Sequence, residues 1–380
     1  MTSSRTVLPY GRHSIDEADI AAVVATLSGD WLTTGPMVGE FEAAVSAAAG
    51  GAAAVSVTSG TAALHVAYAA AGISPGDEVI TTPLTFVATA ATAAVLGARI
   101  VFADVDPATG NLSLDAAAAA VTSRTKAITA VDYAGLPVDA SAFNSLAHDA
   151  GAVFIEDAAH SVGSTLHGVP VGATADITTF SFFPTKNLTT AEGGAVVTPR
   201  SDLEERARKF KNHGLERDRS KMRYPDEGAW HQEVTDFGLN YRLPDVLAAL
   251  GVSQFRKLNA FKLRRAAIHQ AYNDAFADLA EAQLPAATPG ADPAWHLYPL
   301  RVPAERRKDV FNELRGLGIG VQVNYIPAYW HPVFEDLGYK RGMCPNAEAY
   351  YTQEISLPLF PGMSDGDVGR VVDAVRQVLR

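Results

Sequence analysis

Short apolar runs alternate along the chain with longer segments in which apolar residues return every three or four positions. Residues 52–58, 78–82, 100–103, 126–131 and 152–156 have the length and β-branched content of buried strands. Alanine-rich or amphipathic stretches at 62–71, 87–96, 114–121 and 143–150 separate them and predict helices. Strands alternating with helices at this spacing predict a mostly parallel sheet covered on both faces. Ahead of this block, Ser14 stands as an N-cap with Glu17 three residues on. The stripe Ile20, Val23, Val24 and Leu27 ends at Gly29, and a glycine-broken loop leads to a second helix near Val38. Beyond it, Pro244 opens a long helix in which Leu247, Leu250, Gln254 and Leu258 keep helical spacing, with Val246 and Phe255 widening the face. A strand at 296–302, a helix at 308–317 and a strand at 321–325 complete a smaller α+β unit. The expected division is a large domain over 1–245 and a small one over 246–380.

The segment 176–197, DITTFSFFPTKNLTTAEGGAVV, breaks this pattern with a lysine. An apolar strand over 177–183 ends at Pro184, and a second short strand starts after Gly193-Gly194, so Lys186 sits on the turn between two core strands. An ammonium buried there without a partner lowers its pKa and becomes a nucleophilic amine, as a Schiff base to an aldehyde cofactor requires. The alternative is a lysine that snorkels its charge to the surface. This stretch by itself does not separate the two.

Length and composition narrow the classes. A chain of 380 residues exceeds one ordinary core, and 48% apolar with 19% charged residues describes a packed globular protein. The net charge of −11 argues against nucleic acid or an anionic membrane surface as the main partner. A single cysteine, Cys344, rules out an internal disulfide and fits a reducing compartment. No run has the length of a membrane span, and the N-terminal MTSSRTVLPYGRHS lacks a signal-peptide core, so a cytoplasmic location is expected.

In a parallel sheet, ligands bind beyond the carboxyl ends of the strands. Ser59-Gly60-Thr61 joins a strand to a helix N-terminus, where free amides and the helix dipole favour an anion, so Gly60 and Thr61 are candidates to cradle a phosphate. Small residues also make ordinary turns between strand and helix. Asp157 closes the strand AVFIE and is followed by Ala158, Ala159 and His160. It is either a helix N-cap or a carboxylate that keeps a pyridine nitrogen protonated. Phe86, His160 and Ser181 also fall at or past strand ends, where simple core roles compete with a site.

TSGTAAL, GDEVITTPLTFVATA, GARIVFADVD, VDYAG, IEDAAHSVGS, TFSFFPTKNLTTAEGGAVVT, NHG and GLNYRLPDVLAALG occur in the order and approximate spacing of the DegT/StrS aminotransferases, which the chain resembles from about residue 32 to residue 354. The resemblance implies a fold-type I enzyme that uses pyridoxal 5'-phosphate to aminate keto groups of nucleotide-linked sugars. VDYAG, PLTFVATA, TTAEGGAVVT, HLYP and EISLP look most like the branch making UDP-4-amino-4,6-dideoxy-N-acetyl-β-L-altrosamine. It further implies that Lys186 carries the cofactor and moves the proton, and that Asp157 pairs with the ring nitrogen. Phe86 and His160 would cover the ring faces, His160 replacing the glutamine of many members, and Gly60, Thr61 and Ser181 would hold the phosphate. Asn240, within GLNYR, would reach the phosphate of a neighbouring subunit, giving a homodimer with shared sites. VNYIPAYWHP is similar to the family's HYxP segment, with Asn324 where many members have histidine. The resemblance implies an amino-acid donor, L-glutamate, and C4 of a deoxysugar as acceptor; a 3-keto acceptor is the near alternative. A sugar dehydratase of the same scaffold would carry histidine at the lysine position. A non-enzymatic cofactor sensor is ranked last, since the chain is acidic and a basic DNA-binding module is not expected before Val7.

Overall fold

The computed structural model describes residues 7–379, so residues 1–6, which enter the expectation about targeting, lie outside the described residues. Seven strands build the main sheet: β1 (Ala53–Val57), β2 (Glu78–Thr81), β3 (Arg99–Phe102), β4 (Thr125–Val131), β5 (Val153–Asp157), β6 (Ile177–Ser181) and β7 (Gly194–Thr198). Their order across the sheet is β1-β7-β6-β5-β4-β2-β3. Strand β7 runs against both its neighbours, and the remaining pairs are parallel. The expected mostly parallel α/β sheet is therefore present, with one reversed strand. Central strands are buried on both faces, as β4 and β5 show with Ile128, Ala130, Phe154 and Ile155 all fully buried.

Helices cover both faces. Gly60–Ala70 packs its alanines under β1 and β6, while Ala140–Asp149 covers β4 and β5 from the other side. A second core lies beside the sheet, where β8 (Tyr298–Arg301) and β9 (Glu354–Leu357) pair antiparallel beneath helices Leu258–Phe276, Arg307–Gly316 and Asp365–Val378. Helix Asp245–Phe255 starts where the sequence divides the chain, and it packs back on helices Glu17–Leu27 and Pro36–Ala48.

Three expectations need correction. The first helix is capped by Asp16, which accepts from the Asp19 amide at 3.1 Å while Asp19 returns the bond, so Ser14 is not the cap. Its stripe faces outward, with Ile20, Val24 and Leu27 57%, 53% and 56% exposed. The long helix after Pro244 is broken at Arg256 and Lys257, where the Lys257 ammonium bridges Asp16 and Asp19. Residues 321–325 do not form a strand. Apart from one bridge between Gln322 and Ser356, their backbone is claimed by side chains, the Asn324 amide donating to Glu354 Oε2 at 2.7 Å.

Candidate active site

Three strand ends and one turn converge at the carboxyl edge of the sheet. Ser59 caps helix Gly60–Ala70 by accepting from the Ala62 amide at 3.1 Å, leaving the first amides of the helix directed at the turn. Ser181 closes β6 directly opposite. A Cβ on residue 60 would lie 2.7 Å from Ser181 Cβ and Oγ, so only glycine lets the helix start come this close. At residue 194, which opens β7, a Cβ would lie 2.3 Å from the Ser59 carbonyl. The helix N-terminus, Ser181 and the start of β7 thus form one closed wall. Thr61 is exposed on its rim.

Asp157 ends β5, next to Thr179 of β6, and is 4% exposed. Burial raises the pKa of its carboxyl group. The Thr89 hydroxyl at 2.7 Å, the Ala159 amide at 3.2 Å and the nearby Lys186 charge oppose that rise. Asp157 accepts these bonds, and it does not cap a helix, since 158–164 form only turns.

Lys186 lies on the turn between β6 and β7, as the sequence places it. Its amine finds no hydrogen-bond or ion-pair partner among the described residues. Although the residue as a whole is only half-buried, desolvation around the amine outweighs the attraction of Asp157 and lowers its pKa to about 8. At neutral pH roughly a tenth of such an amine is uncharged, several hundred times more than for an ordinary lysine. The lowered pKa agrees with the nucleophilic-amine reading.

His160 is buried, and desolvation, then the Lys186 charge, hold it well below the usual histidine pKa, so it is neutral. Its Nε2 meets the Tyr325 hydroxyl at 3.1 Å, and its ring lies 4.3 Å from that of His296. Phe86 is 59% exposed, with its ring 6.2 Å from Tyr325. Asn240 is exposed and its side chain touches neither Gly60 nor Ser181. Its neighbour Tyr241 does accept from the Thr58 amide of the same chain at 3.0 Å.

The structure adds residues that the sequence did not single out: Thr89 on Asp157, Tyr325 and His296 on His160, and Asn187, whose Nδ2 donates to the carbonyls of His160 at 3.2 Å and Ala294 at 2.7 Å. Tyr325 stands in VNYIP, so the motif was visible though its contact was not.

Residues 13–376 match one family model throughout. The chain belongs to the DegT/DnrJ/EryC1/StrS aminotransferase family. Spore coat polysaccharide biosynthesis protein SpsC of Bacillus subtilis is 40% identical over 379 residues, 98% of this chain and 97% of its own. Helicobacter pylori PseC, an aminotransferase involved in the biosynthesis of pseudoaminic acid, superposes with a TM-score of 0.91 at 31% identity, covering 98% and 99% of the two chains. The PLP-form of Spr1654, a putative sugar aminotransferase from Streptococcus pneumoniae, has a TM-score of 0.91 at 29% identity, covering 98% and 100%.

As a member, the protein is a transaminase whose cofactor is pyridoxal 5'-phosphate. The residues fit that group. Beside the unpartnered Lys186 amine, two buried polar atoms, Thr179 Oγ1 and His160 Nδ1, have no hydrogen-bond partner, and the wall at Gly60 is closed to any Cβ. When bound, the cofactor supplies an aldehyde for an amine to add to and a protonated ring that takes up electrons. Lys186 can bind it and carry a proton, Asp157 can hold the ring proton, and the amides of Gly60 and Thr61 with Ser181 can hold the phosphate.

Proposed function

We propose that the protein transfers an amino group from L-glutamate to the C4 keto carbon of a UDP-linked deoxysugar, as a homodimer with shared active sites. The observation that carries this reading is the unpartnered, low-pKa amine of Lys186 beside the buried carboxylate of Asp157, flanked by the cradle of Gly60, Thr61 and Ser181. A free amine that can accept and return a proton suits transamination, and a histidine at that position would not. The similarity to PseC supports a sugar of the pseudaminic-acid type. The exposed apolar residues Trp230 (83%) and Phe237 (91%), close in sequence to Asn240, support a partner subunit on that face.

The test is an amination screen with the purified protein, glutamate and four acceptors: 4-keto and 3-keto deoxysugars on UDP and on dTDP. Formation of 2-oxoglutarate and an amino sugar only with the UDP-linked 4-keto compound is expected. Preference for a 3-keto acceptor overturns the regiochemistry, and turnover with none of the four overturns the substrate class.

A further inference from the structure

Arg265, on helix Leu258–Phe276, heads the large side chains that the fold buries completely, at 1% exposure. No carboxylate pairs with it among the described residues. Its Nη1 donates to the carbonyls of Leu359 at 2.8 Å, Trp295 at 3.3 Å and His296 at 3.4 Å, and its Nη2 to the carbonyl of Lys186 at 3.3 Å. Its Nε is buried without a partner. Desolvation lowers its pKa only to about 10, so it stays charged at neutrality.

A buried guanidinium held by carbonyls alone is a poor stabilising device, and a hydrocarbon side chain would fill the same volume at less desolvation cost. A hydrocarbon cannot grip carbonyls from three separate segments with one rigid fork. Those segments are the Lys186 turn, residues 295–296 and the stretch that follows β9. Asn187 anchors the same turn from its other side, on Ala294 and His160. The lysine and the residue after it are therefore clamped to the start of the second core, where the His296 ring lies against His160.

We infer that Arg265 is a positioning residue for Lys186: its guanidinium fixes the lysine carbonyl against the second core and so fixes the point from which the amine reaches into the site. The inference rests on Lys186 being the reacting amine. A lysine side chain has four rotatable carbons, so its reach is only as reproducible as its backbone anchor. Displacement of a reacting group by about 1 Å is enough to lower turnover about a hundredfold.

The test compares R265K, which keeps charge and approximate volume but not the fork, with R265Q, which loses the charge. Both are measured as cofactor-loaded enzyme for kcat, KM, melting temperature and the pH midpoint of the cofactor absorbance change. The expected result is a borohydride-reducible bond to Lys186 retained in both. With it, kcat should fall about tenfold to a hundredfold while KM changes less than about threefold, and the absorbance midpoint should move by about half a pH unit or more. A purely structural arginine lowers the melting temperature and leaves turnover per loaded site and the midpoint alone. A loaded R265K or R265Q within about twofold of wild-type kcat and with an unmoved midpoint overturns the inference. R265K decides alone if R265Q does not fold, and its own failure to fold, with the fork lost but charge and volume kept, counts against a role confined to the lysine. A reducible cofactor bond surviving in K186A would instead overturn the assignment of Lys186, so the two failures are distinct.

Discussion

Thr89 Oγ1 donates a 2.7 Å hydrogen bond to Asp157 Oδ2, joining the first turn of helix Ala88–Val95 to the end of β5. The Thr89 carbonyl in turn accepts from the Tyr68 hydroxyl at 2.8 Å, so the donor is itself held. In the proposed function Asp157 acts as a carboxylate; burial works against that charge, and Thr89 works for it. Activity that depends on the carboxylate is lost as pH falls through its pKa. Removing the hydroxyl raises that pKa further, so T89V should move the acid limb of kcat/KM to higher pH by about one unit, equivalent to ~1.4 kcal/mol for a bond to a charged group. An unmoved acid limb would take Thr89 out of this role. D157N removes the charge outright and should bind cofactor yet lose roughly two to four decades in rate.

K186A should bind cofactor without a covalent link. Purified wild-type protein is expected to be yellow and to retain the cofactor after borohydride reduction and denaturation. The variant should release it under the same treatment, as read by intact mass. Label found on another lysine in K186A would mean that the amine was wrongly assigned.

Asn240 gives the shared-site reading a direct check. The side chain is exposed, and Tyr241 beside it is bonded to the same chain's Thr58, two residues before Gly60. A role within one chain and a role across a dimer make different predictions, and mixing separates them. K186A and N240D should each be inactive, N240D because it sets a carboxylate against a phosphate. In a mixed dimer one site carries both defects and the other neither, so activity should recover toward about half of wild type per mixed dimer. No recovery after confirmed subunit exchange would place Asn240 in its own chain's site.

Glu354 offers a prediction away from the cofactor. It is fully buried on β9, accepts from the Asn324 amide and the Ser356 hydroxyl, and burial pushes its pKa up to about 8 from an ordinary 4.5. A carboxyl whose folded pKa is raised contributes fully below its unfolded value, and that contribution is lost as pH rises through about 8. E354Q mimics the neutral form, with its oxygen facing Asn324 and its amide facing Ser356. Urea unfolding should show it within about 1 kcal/mol of wild type near pH 4.5 and increasingly more stable than wild type as the pH rises toward about 8. Equal loss of stability for the two proteins on raising the pH would show that Glu354 is charged throughout.

The parts of the fold legible in the sequence are those decided by runs of apolar residues. β4 and β5 are buried on both faces, so their hydrophobic runs mark them without help from partners. Where polar side chains take over, pattern fails. Two capping pairs at the same spacing, Ser14–Glu17 and Asp16–Asp19, compete to start the first helix, and the Asp16–Asp19 pair wins because Asp19 is also bound by Gln254 and Lys257, more than two hundred residues away. Residues 321–325 have strand composition, yet Glu354 and Tyr133 claim the Asn324 backbone. At the site, Lys186, Asp157 and Ser181 were legible because each ends or follows a strand. Thr89, His296, Tyr325 and Arg265 were not, since each acts through a contact with a segment distant in sequence.

Consecutive residues of a strand face opposite sides of its sheet, so Glu156 and Asp157 of β5 point apart: Glu156 toward Thr178 and the Gly172 amide, Asp157 toward Thr89 and Lys186. In a half-exposed strand a slip by one residue would be punished by turning apolar side chains into water. Here both faces are apolar, and a slipped β5 would still bury its Phe154 and Ile155 while presenting the wrong acid to the site. Only the polar partners of the two carboxylates record the correct frame. Insertions and deletions should therefore be tolerated in the loop that joins helix Ala140–Asp149 to β5 far better than inside the strand, where the loss of one codon would leave a foldable protein with its chemistry facing the wrong way.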